Sequence, residues 1–405
     1  MKFGLLKERK SPPDKRVVFS PDKLAAFRAQ YPEAEFKVES SDIRVFKDEE
    51  YARLGFEVTD NLADCDVLIG VKEIPVDELI PGKKYFFFSH TIKRQQHNQK
   101  MLQAIIDKDI TLYDHETVID ETGKRLIGFG RYAGIVGTYN AFRAFCTKFE
   151  LHNLPKADTL AGKEELVSRL KRIYMPPVKI VLTGKGKVGL GAKEMLDAIK
   201  IKEVSPADFL TKKYDMPVYT NIDVLDYNKR KDGEAALGNV DFFTRAEEFE
   251  SDFAKYANVA DIFIAGHFHG NNAPDILTSA MLKDKNCKLK VVADISCDTG
   301  GPVACTLRAS TIAEPFYGYN PSTGEEVDVH HPAAVVVMAV DNLPCELPRD
   351  SSEGFGEMFL QHVIPAFFNN DKNGILKRAV IAEHGKLALR FKYLNGYVKE
   401  NVPLH

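Results

Sequence analysis

Tryptophan is absent from this chain, no Cys-x-x-Cys pair occurs, and neither sign of charge dominates. The six cysteines (Cys65, Cys146, Cys287, Cys297, Cys305 and Cys345) are scattered over 405 residues. That excludes a disulfide framework and a paired-cysteine zinc site, and reads as reduced thiols. The 55 Lys and Arg against 58 Asp and Glu leave a net charge of −3. No bulk positive field therefore draws the chain onto nucleic acid or an anionic membrane. The longest apolar run, Ala333 to Val340, falls far short of the roughly 18 residues that span a bilayer. The opening Met-Lys-Phe-Gly-Leu-Leu-Lys-Glu-Arg is too short an apolar stretch for a secretory signal, so a cytoplasmic location is expected. What is present is ordinary globular usage, 44% apolar and 28% charged. At roughly 100–200 residues per domain, the length allows two or three domains.

Short apolar runs recur along the chain: Asp66–Val71, Tyr85–Phe88, Lys179–Thr183, Asp261–Ala265, Lys290–Ile295 and Val335–Val340. They are rich in Val, Ile or Phe and do not alternate, the pattern of strands buried on both faces of a parallel sheet. Between them lie amphipathic helical stretches, with Met101, Leu102, Ile105 and Ile106 on one face and Ala192, Met195, Leu196 and Ile199 on another. The alternation predicts an α/β fold with open parallel sheets. Polar, Pro-bearing segments at His152–Pro177 and Val340–Pro348 mark candidate boundaries. A helix is expected over Ala161–Tyr174 and a long one running to about Phe368. The charged stretch Asn228–Glu234 reads as a solvated loop.

The unusual residues follow the apolar runs. Lys72 and Glu73 come after one, Ser89, His90 and Thr91 after the next, then Gly184, Gly266-His267, Asp294 and Asp341. In open α/β sheets ligands bind beyond the carboxyl ends of the strands, so this placement suits a cofactor-and-substrate site. The strongest motif is Thr183-Gly184-Lys185-Gly186-Lys187-Val188-Gly189-Leu190-Gly191-Ala192. It contains Gly-x-Gly-x-x-Gly directly after a strand and opens a helix. Gly184 serves the tight turn, Gly186 the approach of a pyrophosphate and Gly189 close helix–strand packing, with the helix N-terminus beside the phosphates. No Gly-Lys-Ser/Thr follows at the P-loop spacing.

An acidic residue about twenty positions on should grip the ribose. Glu203 comes early and Asp208 follows Pro206, which breaks a central strand. If the strand ends at Val204–Ser205, a 2′-phosphate could be accepted beside Lys187, so NAD and NADP both stay open. His267-Phe-His269 and His330-His331 lack a carboxylate or cysteine at ligand spacing, and no metal is expected. No Gly-x-Ser-x-Gly elbow is present, and the cysteines have no local His partner.

At these residues the sequence resembles the alanine dehydrogenase/transhydrogenase superfamily. Within it, the resemblance is to the lysine-forming saccharopine dehydrogenase branch and its lysine–2-oxoglutarate reductase members. The matching blocks are Lys7-Glu-Arg with Lys15-Arg-Val-Val-Phe-Ser-Pro, Gly70-Val-Lys-Glu-Ile-Pro, Phe88-Ser-His-Thr-Ile-Lys-Arg-Gln, Leu112-Tyr-Asp, and Phe129-Gly-Arg-Tyr-Ala-Gly. The glycine motif, Asp294-Ile-Ser-Cys-Asp-Thr-Gly-Gly-Pro and Val340-Asp-Asn-Leu-Pro follow in the same order.

The resemblance implies two Rossmann-like domains with a cleft between them. A substrate domain would take residues 1–140 and 341–405, and a dinucleotide domain 141–340. It implies Lys72 and His90 as an acid–base pair, and Arg16, Gln95, Arg125 and Phe129 as substrate contacts. Lys124, Gly186, Lys187, Val188, Phe268, Asp294 and Asp341 would be cofactor or cleft positions. The implied reaction joins lysine to 2-oxoglutarate through an imine that a nicotinamide hydride reduces. Its product carries three carboxylates, for which Arg16 and Arg125, with Lys93 or Arg131, offer cations. An alanine dehydrogenase, another amine dehydrogenase, or a silent dinucleotide-binding regulatory module are the rival expectations. Partners are expected to be small molecules, with the chain a monomer or small homo-oligomer.

Overall fold

The computed structural model describes residues 1–270 and 272–399. The chain divides into two compact units, one of Met1–Phe129 with the segment from Pro348 onward, the other of Gly130–Leu347. A division at residue 140 would cut the helix Gly130–Lys148, which runs unbroken and is buried along most of its length.

The first unit is built on an eight-stranded sheet. Six parallel strands lie in the order Glu57–Thr59, Glu35–Glu39, Lys2–Leu5, Val67–Lys72, Lys84–Phe88, Thr111–Asp114. Numbered along the chain this is 3-2-1-4-5-6, the doubly wound order, whose direction reverses between the first and fourth strands. Val380–Glu383 and Lys386–Leu387 add two antiparallel strands at one edge. Val67, Leu68, Ile69 and Val71 are at most 1% exposed, which explains why this stretch reads as an unbroken apolar run. Past the boundary, the long helix expected to reach Phe368 is two helices, Pro348–His362 and Ile364–Phe368. Pro365 has no N–H to continue the first, so the chain starts afresh there.

The second unit repeats the plan with a change of order. Its parallel strands run Lys202–Glu203, Val218–Ile222, Lys179–Thr183, Ile262–Ala265, Val291–Asp294, Val335–Met338. Phe316–Asn320 and Glu325–Val327 are antiparallel at the far edge. The second strand in sequence is displaced to the margin, and Val218–Ile222 takes the place beside Lys179–Thr183. The helix expected over 161–174 is found as Lys163–Lys171. Asn228–Glu234 is not wholly a loop, because Asn228–Arg230 pairs antiparallel with Phe249–Ser251. Arg230 is held there by ion pairs to Asp232, Asp241 (3.6 Å) and Glu248 (3.0 Å).

Two glycines set the closest approach of two helices in this unit. A Cβ on Gly134 would lie 2.0 Å from the Val188 carbonyl oxygen, and one on Gly191 2.0 Å from that of Arg131. The helices Gly130–Lys148 and Lys187–Ala198 therefore meet backbone to backbone, and this fixes where the glycine-rich helix begins.

Candidate functional site

In the first unit the carboxyl ends of the central strands carry a dense ionisable cluster. Lys72 ends the fourth strand, His90 follows the fifth by two residues, and Glu116 follows the sixth by two. Lys72 Nζ is 3.5 Å from His90 Nε2. On its other side the His90 ring presents Nδ1 to Glu116 Oε2 at 3.7 Å. The ring thus lies between an ammonium on its Nε2 side and a carboxylate on its Nδ1 side. His90 adopts a left-handed backbone (φ 54°), which turns its ring back over Phe88, centroids 6.2 Å apart.

Glu116 is where the cations converge. Lys93 Nζ is 3.4 Å and Arg125 4.0 Å from its Oε1. Burial pushes this carboxyl up, but His90, Lys93 and Arg125 together outweigh burial and hold it down at about 2. Arg125 also lies over the Phe88 ring, 5.5 Å from its centroid. Lys93 and Arg125 remain substantially exposed, with side-chain exposures of 53% and 41%, so they are open to a ligand carboxylate.

Arg16, expected as a substrate contact, is held by a neighbouring carboxylate. Its Nε and one terminal nitrogen donate to the two oxygens of Asp14 at 2.9 and 2.6 Å. The pair is buried, and the guanidinium lies 4.2 Å from the centroid of Phe129. Phe129 in turn stacks on Phe355 at 4.4 Å. Asp14 thus occupies the Nε edge of the guanidinium and orders it in the wall of the cluster. Gln95 accepts from the Tyr397 hydroxyl on its backbone carbonyl (2.5 Å) and from Asn98 on its amide oxygen (3.4 Å). Lys124 sits on an exposed turn whose backbone is tied to Asp120.

In the second unit the glycine turn has the geometry its spacing suggests. Gly184 has φ +92°, and a Cβ there would lie 2.5 Å from the Gly266 carbonyl oxygen. One on Gly189 would lie 2.0 Å from the Gly184 carbonyl oxygen, whereas one on Gly186 would meet nothing within 4 Å. The turn is thus tight against its neighbours at Gly184 and Gly189 and open at Gly186, above the N-terminus of the helix Lys187–Ala198. Lys187 and Val188 form that first turn, and Val188 packs against Gly130. Phe268 is 78% exposed just beyond the neighbouring strand end.

His267, named in the sequence among the strand-end residues of a cofactor-and-substrate site, lies beside this turn. Its Nδ1 is 2.8 Å from Thr183 Oγ1, while its buried Nε2 has no partner. Burial pushes its pKa down to about 3, so the ring is neutral. An open glycine turn and an orphaned buried ring nitrogen at one strand end fit a polar, phosphate-bearing ligand such as a dinucleotide. Asp294 is fully buried, accepting from Ser296 Oγ (2.6 Å) and Thr306 Oγ1 (2.7 Å). It ties down the loop that follows. That loop carries Cys297, whose Sγ is 3.9 Å from Asp341 Oδ1.

Neither acid weighed for the ribose is at the end of the adjacent strand. Glu203 lies on the marginal strand and binds Lys193 Nζ at 2.6 Å, and Asp208 pairs with Lys212 at 3.0 Å inside the helix Pro206–Thr211. The residue that does follow the adjacent strand is Asp223, directly after Ile222, which is in register with Thr183. One Asp223 oxygen accepts from its neighbour's N–H (Val224, 2.8 Å) and the other from Asn239 Nδ2 (2.9 Å). Asp223 was hidden because Val218–Ile222, third in sequence, is second in space. Among the described residues, no group of three or more His, Cys, Asp or Glu could hold a metal ion, and no helix is long and apolar enough to cross a membrane.

Residues 4–136 match the family model "Alanine dehydrogenase/PNT, N-terminal domain" and residues 172–390 the corresponding C-terminal domain. The chain is 28% identical over 404 residues to the alpha-aminoadipic semialdehyde synthase of Arabidopsis thaliana, a match covering 90% of this chain and 38% of that protein. It is 28% identical over 349 residues to the saccharopine dehydrogenase [NAD(+), L-lysine-forming] of Schizosaccharomyces pombe, covering 81% of this chain and 83% of the other. The chain thus spans well under half the length of the synthase. A solved L-alanine dehydrogenase superposes with a TM-score of 0.65 at 16% identity, covering 98% of this chain and 100% of that one, a likeness of fold.

Proposed function

The chain belongs to the alanine dehydrogenase/PNT family, and from that footing we propose a nicotinamide-dinucleotide-dependent oxidoreductase acting on a C–N bond, interconverting saccharopine with L-lysine and 2-oxoglutarate. The observation that carries the reading is the Lys72–His90 pair, 3.5 Å apart and braced by Glu116. Forming or hydrolysing an imine moves protons at nitrogen and at the carbinol oxygen, and a coupled Lys–His pair suits that work. The names of the relatives that align along most of this chain support the substrate assignment.

Each side chain then has a definite task. Lys72 Nζ and His90 Nε2 pass protons to and from the substrate's nitrogen and oxygen. Glu116, kept ionised, holds the His90 ring so that Nε2 stays turned toward Lys72, and compensates the positive charge that gathers there. Arg125 and Lys93 receive substrate carboxylates, Arg125 with a planar fork and Lys93 as a mobile point charge. Phe88 and Phe129, with Arg16 and Asp14 behind them, form the rigid wall. In the second unit Gly184, Gly186, Lys187, Val188 and Gly189 would hold the dinucleotide's phosphates, with Phe268 and Asp341 flanking. The nicotinamide supplies or accepts the hydride when bound.

Asp223 favours NAD over NADP. A carboxylate at the end of the strand beside the glycine turn accepts hydrogen bonds from the ribose hydroxyls and repels a 2′-phosphate. Asn239 holds that carboxylate in place.

The test is a steady-state assay on purified protein with NADH or NADPH, 2-oxoglutarate and a panel of amines. Oxidation of NADH that needs both lysine and 2-oxoglutarate supports the reading. Oxidation with pyruvate and ammonia would favour alanine dehydrogenase, and tight cofactor binding without turnover would favour a regulatory module.

A further inference from the structure

The strand that presents Lys72 is irregular where it matters. Its parallel neighbour Lys2–Leu5 pairs with it only as far as Leu5 opposite Ile69, with Leu6 N–H donating to Ile69 O at 2.9 Å. On the other side, the pairing with Lys84–Phe88 shifts register between Ile69 and Lys72. Gly70 and Val71 thus fall outside both ladders and Lys72 rejoins only opposite Phe88, so buried backbone groups in this stretch need other partners. Two side chains take that place. The Glu8 carboxyl group accepts the Val71 N–H on one oxygen at 2.7 Å and the Lys72 N–H on the other at 2.8 Å, while burial and the nearby Asp14 push its pKa up to about 8. His115 Nε2 donates to the Gly70 carbonyl at 2.8 Å.

Both clamping side chains are themselves fixed. Glu8 is 6% exposed, and His115 is fully buried in a cage of Phe86, Phe88, Phe355 and Phe359, ring centroids 4.8–5.5 Å away. A carbonyl partner requires the proton on Nε2, and burial pushes the ring's pKa down to about 3, so this tautomer persists at any working pH. Successive N–H groups of a regular strand point to opposite sides, so one carboxyl group accepting both holds a local bulge at residues 71 and 72.

We propose that Glu8, assisted by His115, is a positioning residue for Lys72, holding the backbone at residues 70–72 so that Nζ stays within reach of His90. The inference rests on the reading of Lys72 as an acid–base residue. It predicts a specific intolerance, because Glu8→Gln keeps the shape of the side chain but turns an amide N–H toward one of the two backbone N–H groups. One bond is kept, the other becomes a donor–donor contact, and Lys72 loses its register.

The test is a double-mutant cycle in kcat, with dinucleotide affinity measured alongside. Glu8→Gln should lower kcat about 10–100-fold while leaving dinucleotide binding within about twofold, part of the range for one acid–base group. In a Lys72→Met background the same change should cost less than about twofold, because the group it positions is gone. His115→Phe should show the same pattern with a smaller fall, about 3–10-fold, and carries the test if Glu8→Gln does not fold. Equal losses in both backgrounds, or Glu8→Gln and His115→Phe enzymes turning over at the parental rate, would overturn the inference and leave the role of Lys72 standing. Full turnover by Lys72→Met alone would overturn the role of Lys72, and the positioning claim with it.

Discussion

The two units share one plan and load it in opposite ways. Both set parallel strands with a reversal of direction between the first strand and its later neighbour, and both crowd their unusual residues at the carboxyl ends. In the first unit those ends carry Lys72, His90 and Glu116, ionisable groups bound to one another. In the second they carry Gly184, Gly186 and Gly189, which offer backbone, with a neutral His267 and the carboxylate of Asp223 beside them. A doubly wound sheet dictates where a site lies, while the residues at the strand ends dictate whether it handles protons or phosphates. The strand orders differ correspondingly. The first unit keeps its second strand next to its first, whereas the second admits Val218–Ile222 there and so brings Asp223 to the turn.

If the labour is divided this way, substitutions in one unit should damage one function and spare the other. The largest effect falls on the first unit. Lys72→Met should cut kcat about 10²–10⁴-fold, the range for loss of an acid–base group, with NADH affinity unchanged by fluorescence titration. The converse break is Gly184→Val, which puts a Cβ 2.5 Å from the Gly266 carbonyl at φ +92°. Strain of about 1–3 kcal/mol at such a site should weaken NADH binding on the order of 10-fold or more, seen by calorimetry. Asp223→Ala sharpens the comparison within the second unit. It should narrow the preference for NADH over NADPH about 10-fold in kcat/KM while kcat with NADH changes little, since one charge-assisted hydrogen bond is worth about 1.5–3 kcal/mol.

The smallest effect concerns a buried acid in the second unit. Burial pushes the Glu346 carboxyl up from 4.5 to about 7, against the opposing pull of the Asn140 amide and Arg143. Between those values the folded chain holds a proton that the unfolded chain has lost. Stability contributed by this group is therefore greatest below about 4.5 and falls as pH rises toward about 7. Glu346→Gln keeps the Asn140 contact and removes the titration. Its melting temperature should fall less than that of the parent between about pH 5 and about pH 7.5. A parallel fall in both proteins would show that Glu346 is not the group responsible.

The central strands were legible because a strand buried on both faces must be apolar throughout, and runs such as Lys179–Thr183 are recovered residue for residue. Lys2–Leu5 escaped notice because it is four residues long and interrupted by Gly4. The glycine turn was legible because three backbone constraints fall within six residues. Glu8, Glu116 and Asp223 were not, for one shared physical reason. Each gains its role from which strand lies beside which, and spatial order is not written in local sequence. Arg16 is a substrate contact only by the family resemblance, and the tertiary structure adds what local sequence does not show, that Asp14 holds one edge of its guanidinium.

The central claim is that a hydride passes between the dinucleotide and the carbon of a newly formed C–N bond. The most direct measurement supplies NADH deuterated at the transferring position together with lysine and 2-oxoglutarate, and analyses the product by mass spectrometry and NMR. The account predicts a condensation product with deuterium on the former carbonyl carbon of 2-oxoglutarate, absent when either substrate is omitted. Label that stays in the cofactor, or a labelled product formed without lysine, would contradict it.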